Sequence, residues 1–295
     1  MGVPRQVLPN SFYLISRRCS QRQFLLRPDD ATNNAYLYCL IEAALRSQID
    51  LVMMCAMSNH HHVVIYDRLG NYPQFIEHLH KMIARSQNAL RGRWEHFWAS
   101  GQTSVVRLED AGAVLDKVTY VACNPVNDDL VARVDQWPGV NGYRALMTGQ
   151  TLRAKRPIHF FRKDGPMPEA VETALRVPDE IGDSDAFRRA LEARVTEIET
   201  QMDVAREREC RRVLGRRAVL AQNWTDTPET FEPRRQLSPR IATKNLWNRV
   251  AAIIRNRWFA RAYATARAAW LAGEAAVFPV GTYWLRRFAG VSVES

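Results

Sequence analysis

The sequence has no apolar run long enough to cross a bilayer: the longest, Leu51 to Met57, falls far short of the roughly 20 residues a spanning helix needs. It has no Cys-x-x-Cys pair. Cys19, Cys39, Cys55, Cys123 and Cys210 stand singly, an odd and dispersed set that argues against a disulfide framework and against a cysteine zinc site. The start, Met1-Gly2-Val3-Pro4-Arg5-Gln6, has no apolar stretch behind a basic residue and no Ser or Thr at position 6. Neither a secretory leader nor myristoylation is expected, and a reducing, cytoplasmic setting is. There is no internal repeat and no low-complexity tract.

Acid is also in deficit. Lys and Arg number 41 against 31 Asp and Glu, a net charge of +10, which favours a polyanionic partner, nucleic acid being the commonest. The excess is uneven: residues 1–150 carry 15 basic and 13 acidic side chains, residues 151–295 carry 26 and 18. A solvated, arginine-rich helical surface is the blander explanation.

What is present alternates between strand and helix patterns. Phe12 to Ser16 is a β-type run, followed by a basic turn, Arg17 to Arg22, and a second apolar run at Phe24-Leu25-Leu26. Asp30 or Thr32 caps a helix over Asn33 to Gln48, with Leu37, Leu40, Ile41, Ala44 and Leu45 on one face. Leu51 to Met57 reads as a strand buried on both faces, Ser58-Asn59 as a turn, and His60 to Tyr66 as the returning strand of a hairpin. A helix from Tyr72 or Pro73 to Arg91, a strand from Thr103 to Leu108 and a helix starting at Glu109 to Gly112 follow, with Pro125 ending or kinking the last just after Asn124. This order predicts an α+β domain, an antiparallel sheet with helices packed on it, over residues 1–150. Residues 151–295 read as a basic, mainly helical region. In it, 151–182 is a connecting segment with one short helix, 184–222 a charged helical stretch and Asn223 to Pro239 a polar loop. Lys244 to Leu271 reads as an amphipathic helix with Trp247, Val250, Ile254 and Trp258 on one side.

Two constellations carry chemistry. Successive strand residues point to opposite faces, so His60 and His62 share a face and His61 takes the other. Two imidazoles about 7 Å apart on one strand face can converge on one divalent metal. Tyr120 and Asn124 are four apart on a helix and share its face. If that face packs beside the histidines, the Asn124 carbonyl oxygen joins them as a ligand and Tyr120 supplies a nucleophile. A phenol, with an ordinary pKa of about 10, attacks only a strongly activated ester such as a metal-polarised phosphate. Its product, a tyrosyl-phosphate, conserves the ester bond for rejoining.

At these residues the sequence resembles a known family. Met57-Ser58-Asn59-His60-His61-His62-Val63-Val64-Ile65 is similar to the His-hydrophobic-His block of the HUH single-strand DNA transposases. Tyr120-Val121-Ala122-Cys123-Asn124-Pro125-Val126 is similar to the Tyr-x-x-x-Asn-Pro-Val block of their REP-associated tyrosine transposase branch. Phe12 to Arg18, Phe97-Trp98 and Trp137-Pro138 followed by Gly142-Tyr143-Arg144 extend the likeness over residues 8–150. The resemblance implies a ferredoxin-like (RRM-like) HUH nuclease core using Mg2+ or Mn2+, as a monomer or a homodimer. It implies recognition of a DNA hairpin and cleavage of its single-stranded flank, with a 5′-phosphotyrosine and a free 3′-hydroxyl as products. By motif position His60, His62 and Asn124 would be metal ligands and Tyr120 the nucleophile.

The sequence departs from the pattern at His61, where a bulky apolar residue is usual, at Asn127-Asp128-Asp129 and at Ala99-Ser100. Arg17, Arg18 and Arg22 in the first turn and Arg85 near a basic helix end are candidate DNA contacts, as are Arg249, Arg255 and Arg257 beside the tryptophans of the last long helix. At that spacing the tryptophans also suit a core. Two other readings stay open: a non-mobilising protein that binds repeat DNA and regulates, and a metal-dependent hydrolase of small phosphoesters in which Tyr120 merely packs.

Overall fold

The computed structural model describes residues 4–230 and 239–294, so residues 231–238 of the polar loop expected from Asn223 to Pro239, together with the first three residues and the last, lie outside the described residues. Strand β1 (Ser11–Arg18) alternates Phe12, Leu14 and Ser16 with Tyr13, Ile15 and Arg17, which gives it two usable faces. Helix α1 (Asp30–Ser47) is capped one residue before Asp30 and three before Thr32, the two expected caps: Asp29 has an extended backbone, and its carboxylate accepts the Thr32 amide at 2.8 Å. It ends where Gln48 turns left-handed. Strands β2 (Ile49–Ala56) and β3 (His60–Asp67) form the hairpin, closed by Met57 N–H donating to the His60 carbonyl at 2.9 Å. Helix α2 (Tyr72–Leu90), with Pro73 in its first turn, leads to β4 (Ser104–Leu108) and then α3 (Ala111–Asn127).

The strands lie in the order β2-β3-β1-β4, all antiparallel. With the connection β1-α1-β2-β3-α2-β4 this is the ferredoxin-like arrangement expected. Side-chain alternation sets the layers. His61 faces Tyr36 of α1 and His80 of α2, whereas His60 and His62 face Asn124 and Tyr120 of α3. Ile15, Val52, Met53, Val63, Val64 and Ile65 are fully buried between these layers, and each is stabilised by about 1.5–3 kcal/mol relative to exposure.

Proline does not end α3. The helix runs on to Asn127 with Pro125 inside its last turn, losing only the one bond that the missing N–H of Pro125 would have made to Val121. The segment after it docks on the outer edge of β2: Ala56 N–H donates to Val140, Gly142 N–H to Met54, and the Trp137 indole to Ala56, which closes a strand edge. A side chain at Gly142 would press on the side chains of Met54 and Leu175, which would have to shift. Helix α4 (Tyr143–Thr148) follows.

Residues 151–182 hold more than a connection. Strands β5 (Leu152–Lys155) and β6 (Ala170–Thr173) pair antiparallel, and Ala154 and Val171 pack under Tyr38 and Ile41 of α1. The charged stretch 184–222 is two helices, α5 (Ser184–Glu209) and α6 (Arg216–Ala221), because Cys210 is left-handed and stops the first. Phe187, Leu191, Val195 and Val219 join the same apolar core as the sheet, and α5 lies along α3. Strand β7 (Ile241–Ala242) adds a fifth, parallel strand beside β4.

Helix α7 (Leu246–Leu271) turns Ala252, Phe259 and Ala266 inward and leaves Trp247, 81% exposed, Val250, Ile254 and Trp258 on the surface. The stripe that suited a core therefore faces solvent. Strand β8 (Val277–Phe278), helix α8 (Trp284–Ala289) and strand β9 (Ser292–Val293) complete the chain, β8 and β9 pairing in parallel. Among the described residues no helix is long and apolar enough to cross a membrane.

Candidate active site

The hairpin turn positions the first histidine. The Ser58 and Asn59 carbonyls accept from Leu26 and Cys19 N–H at 2.8 and 2.7 Å, which ties the turn to the segment after β1. The Asn59 amide donates to the Arg22 carbonyl, so its oxygen faces His60 Nδ1 at 2.6 Å and that nitrogen is the donor. The basic form of the ring then carries its lone pair on Nε2, which lies 3.3 Å from Asn124 Oδ1. His62 Nδ1 lies 2.6 Å from Ser16 Oγ, its register partner on β1.

The rings of His60 and His62 are 4.9 Å apart, and the Tyr120 ring stands edge-on to His62 at 5.2 Å. Asn124 is buried, while Tyr120 is 40% exposed and open to solvent. Lys117, one turn before Tyr120, holds its ammonium 5.7 Å from the tyrosine ring centroid. Burial first, then His60, His61 and Lys117, keeps the pKa of His62 well below the usual imidazole range. A neutral ring is the form a metal requires.

Among the described residues no group of three or more His, Cys, Asp or Glu is placed to hold a metal. The donor set is two imidazoles and one amide oxygen. It suits a divalent ion that accepts nitrogen and oxygen together, with both rings oriented through Nδ1 by neighbouring polar groups, as metal-bound histidines are.

His61 belongs to a different network. It is fully buried, with Nδ1 3.0 Å from the Tyr36 hydroxyl and Nε2 3.0 Å from His80 Nε2. Arg17 donates to His80 Nδ1 at 3.1 Å, so His80 Nε2 carries the proton and donates to His61, whose Nδ1–H donates to Tyr36. Trp98 covers both rings and donates to the His80 carbonyl. This network takes Arg17 away from the tyrosine face: its guanidinium contacts His80 and Thr103 and lies over Trp98.

Of the other basic candidates, exposed Arg18 is the register partner of His60, at the site itself. Arg22 donates to the Thr230 carbonyl at 2.8 Å, and exposed Arg85 lies over Phe160. Arg255 is paired with Glu109 at 2.7 Å, whereas Arg249 and Arg257 are exposed on α7. Asp129, one of the acids by which the sequence departs from the family pattern, is clamped by Arg206 and Arg211.

Sequence reasoning missed Ser16, Asn59, Lys117 and His80. Lys117 had a signal, its three-residue spacing from Tyr120; Ser16 and His80 are brought in only by strand register and by the packing of α2.

No family model and no curated protein sequence matches the chain. Among solved structures, its fold is similar to that of a REP-associated tyrosine transposase bound to a REP hairpin, with a TM-score of 0.43 and 13% identity, over 60% of this chain and 99% of that one. A transposase candidate from Deinococcus radiodurans R1 aligns with a TM-score of 0.28 and 15% identity, over 36% of this chain and 85% of that one.

Proposed function

We propose that this chain is a metal-dependent single-strand DNA transposase that cleaves and rejoins DNA beside hairpin repeats through a covalent 5′-phosphotyrosine. The observation that carries this reading is the convergence of Tyr120 with His60, His62 and Asn124 on one face of the sheet, Tyr120 alone of the four being well exposed. Tyr120 Oη attacks the scissile phosphorus, the new O–P bond replaces the bond to the 3′ oxygen, and the strand end leaves as a 3′-hydroxyl. The phenolic proton leaves from a side chain open to water, and the Lys117 ammonium balances negative charge developing beside the ring.

Mg2+ or Mn2+ held by His60, His62 and Asn124 would polarise the phosphate. Ser16 and Asn59 orient the two rings for that role.

We assign the chemistry to residues 1–150 and strand or hairpin binding to the basic region 151–295. Helix α7 supports this: it carries five arginines and no acid, with exposed Trp247 just before the first of them and Trp258 between two others. Phosphates pair with such arginines and unpaired bases stack on such rings. Arg18 is the candidate phosphate contact beside the tyrosine.

The test is incubation of the full chain with a hairpin oligonucleotide carrying a single-stranded flank, in Mg2+ or Mn2+. Strand cleavage with a protein–DNA adduct supports the reading. Specific binding without an adduct in either metal replaces it with a repeat-binding regulator, and release of phosphate from small esters without an adduct replaces it with a hydrolase.

A further inference from the structure

Within α3 the only acid is Asp116, and it stands one turn before Tyr120 on the same face, about 6 Å along the axis. Two cations from the C-terminal region converge on it. Arg194 of α5 bonds one carboxylate oxygen, and Lys244, two residues before α7, bonds the other at 2.7 Å. Lys117, the next residue of α3, holds its ammonium 5.7 Å from the Tyr120 ring centroid. Three cations thus meet one carboxylate beside the tyrosine. The other acid near this end of the helix is its N-cap, Asp110, which is taken up by the Ala113 amide, Thr243 and Asn248.

Stability does not account for this arrangement. The Lys244 side chain is 84% exposed and that of Arg194 39%, and ion pairs so open to water contribute little to folding. One cation would also balance Asp116, so the second leaves charge to spare and Lys117 adds to it. The excess selects an anion, and the exposure of Lys244 lets one reach it.

The position says which anion. Along α3 the order is Asp116, Tyr120, Asn124, each one turn apart, so the cations lie on the opposite side of the tyrosine from the proposed metal ligand. A nucleic-acid strand carries a phosphate on either side of the one under attack. A guanidinium and an ammonium are the usual donors to such a group.

We propose that Arg194 and Lys244, together with Lys117, form a second phosphate site, which holds the phosphate of the single-stranded flank adjoining the one that Tyr120 attacks. It rests on the DNA-processing reading and deepens it. The C-terminal region then contributes to the cleavage centre itself, and Asp116 keeps its two cations in place while no strand is bound.

The test uses the full chain without divalent metal. Fluorescence anisotropy compares a labelled hairpin oligonucleotide bearing a single-stranded flank with the same hairpin lacking it, and the flanked form is expected to bind more tightly. Arg194→Gln and Lys244→Gln each weaken flanked binding about fivefold and leave the unflanked hairpin as in the parent. Together they flatten the log–log salt slope by about 0.7, the loss of one phosphate contact. Asp116→Asn removes the competing charge and tightens flanked binding a few-fold. That opposite sign separates a phosphate site from a structural ion pair, in which losing either partner acts alike. Lys244 is exposed enough for its variant to fold as the parent does, which a melting temperature checks. Parent-like flanked binding in both cation variants would overturn the proposal. So would an Asp116→Asn chain that binds more weakly, or an unflanked hairpin weakened as much as the flanked one. The adduct assay is independent: an adduct with parent-like binding in the variants removes this inference alone, and the expected split of signs without an adduct removes the transposase reading alone.

Discussion

Ser16 Oγ sits 2.6 Å from His62 Nδ1, across the register pair that joins β1 to β3. The proposed metal role requires the tautomer in which Nδ1–H donates to this hydroxyl and Nε2 is left for an ion. Ser16→Ala removes the orienting acceptor while leaving the strand pairing intact. Manganese affinity, measured by titration calorimetry, is expected to fall about 10- to 100-fold with the melting temperature little changed. An unchanged affinity would separate Ser16 from metal binding.

Buried imidazoles make stability depend on pH. Burial, then His60 and Arg17, pushes His61 down to about 3, and burial also holds His62 and His80 well below their usual range. Unfolded histidine titrates near 6.5, so below that pH the unfolded chain binds protons that the native chain refuses. Stability contributed by the neutral rings is complete above about 6.5 and is lost as the pH falls towards the native values. Urea unfolding from pH 7 to 5 should show a loss of roughly 1 kcal/mol per pH unit for each such histidine. A His80→Gln variant should show a shallower slope than the parent; equal slopes would contradict the assignment.

Arg206 is buried and donates to Asp129, to Asp203 and to the Val126 carbonyl at the end of α3. It joins α5 to the end of the helix that bears Tyr120. Arg206→Leu leaves Asp129 with Arg211 and the Val126 carbonyl with the Asp129 amide but removes the buried guanidinium that ties them to α5, and the expected cost in chemical denaturation is about 2 kcal/mol. A change within 0.5 kcal/mol, about that of a surface substitution, would show the clamp to be dispensable.

The arginines of α7 divide by their partners. Arg255 is neutralised by Glu109, while Arg249 and Arg257 are exposed. In fluorescence titrations of single-stranded DNA against salt, losing Arg249 and Arg257 should flatten the log–log slope by about 0.7 each. Arg255→Ala should leave that slope unaltered. Trp247→Ala should weaken binding about tenfold at every salt concentration.

How much was legible in the sequence followed the range of the forces involved. The order of strands and helices to residue 127 came from local periodicity and capping, and its errors are boundary shifts of one to three residues, such as Asp30 rather than Asn33 for the start of α1, and the continuation of α3 through Pro125. The facing of His60 and His62 away from His61 needed only strand alternation, and the pairing of Tyr120 with Asn124 only helical spacing. What failed was non-local. β7 is two residues long and exists through pairing with β4, and β5–β6 exists through the back of α1. The tryptophan stripe of α7 had the right period, but period alone does not say which face meets the core, and Phe259 with two alanines took that place. Arg17 read as a surface cation because its partners, His80 and Trp98, lie more than sixty residues away.

The most direct measurement of the central claim is intact-protein mass after incubation with a flanked hairpin oligonucleotide and Mn2+. The parent is expected to yield a species heavier by the cleaved 5′-phosphorylated fragment, and Tyr120→Phe, with a melting temperature measured alongside, none. No adduct in the parent under Mn2+ or Mg2+, or an adduct that persists in Tyr120→Phe, would contradict it.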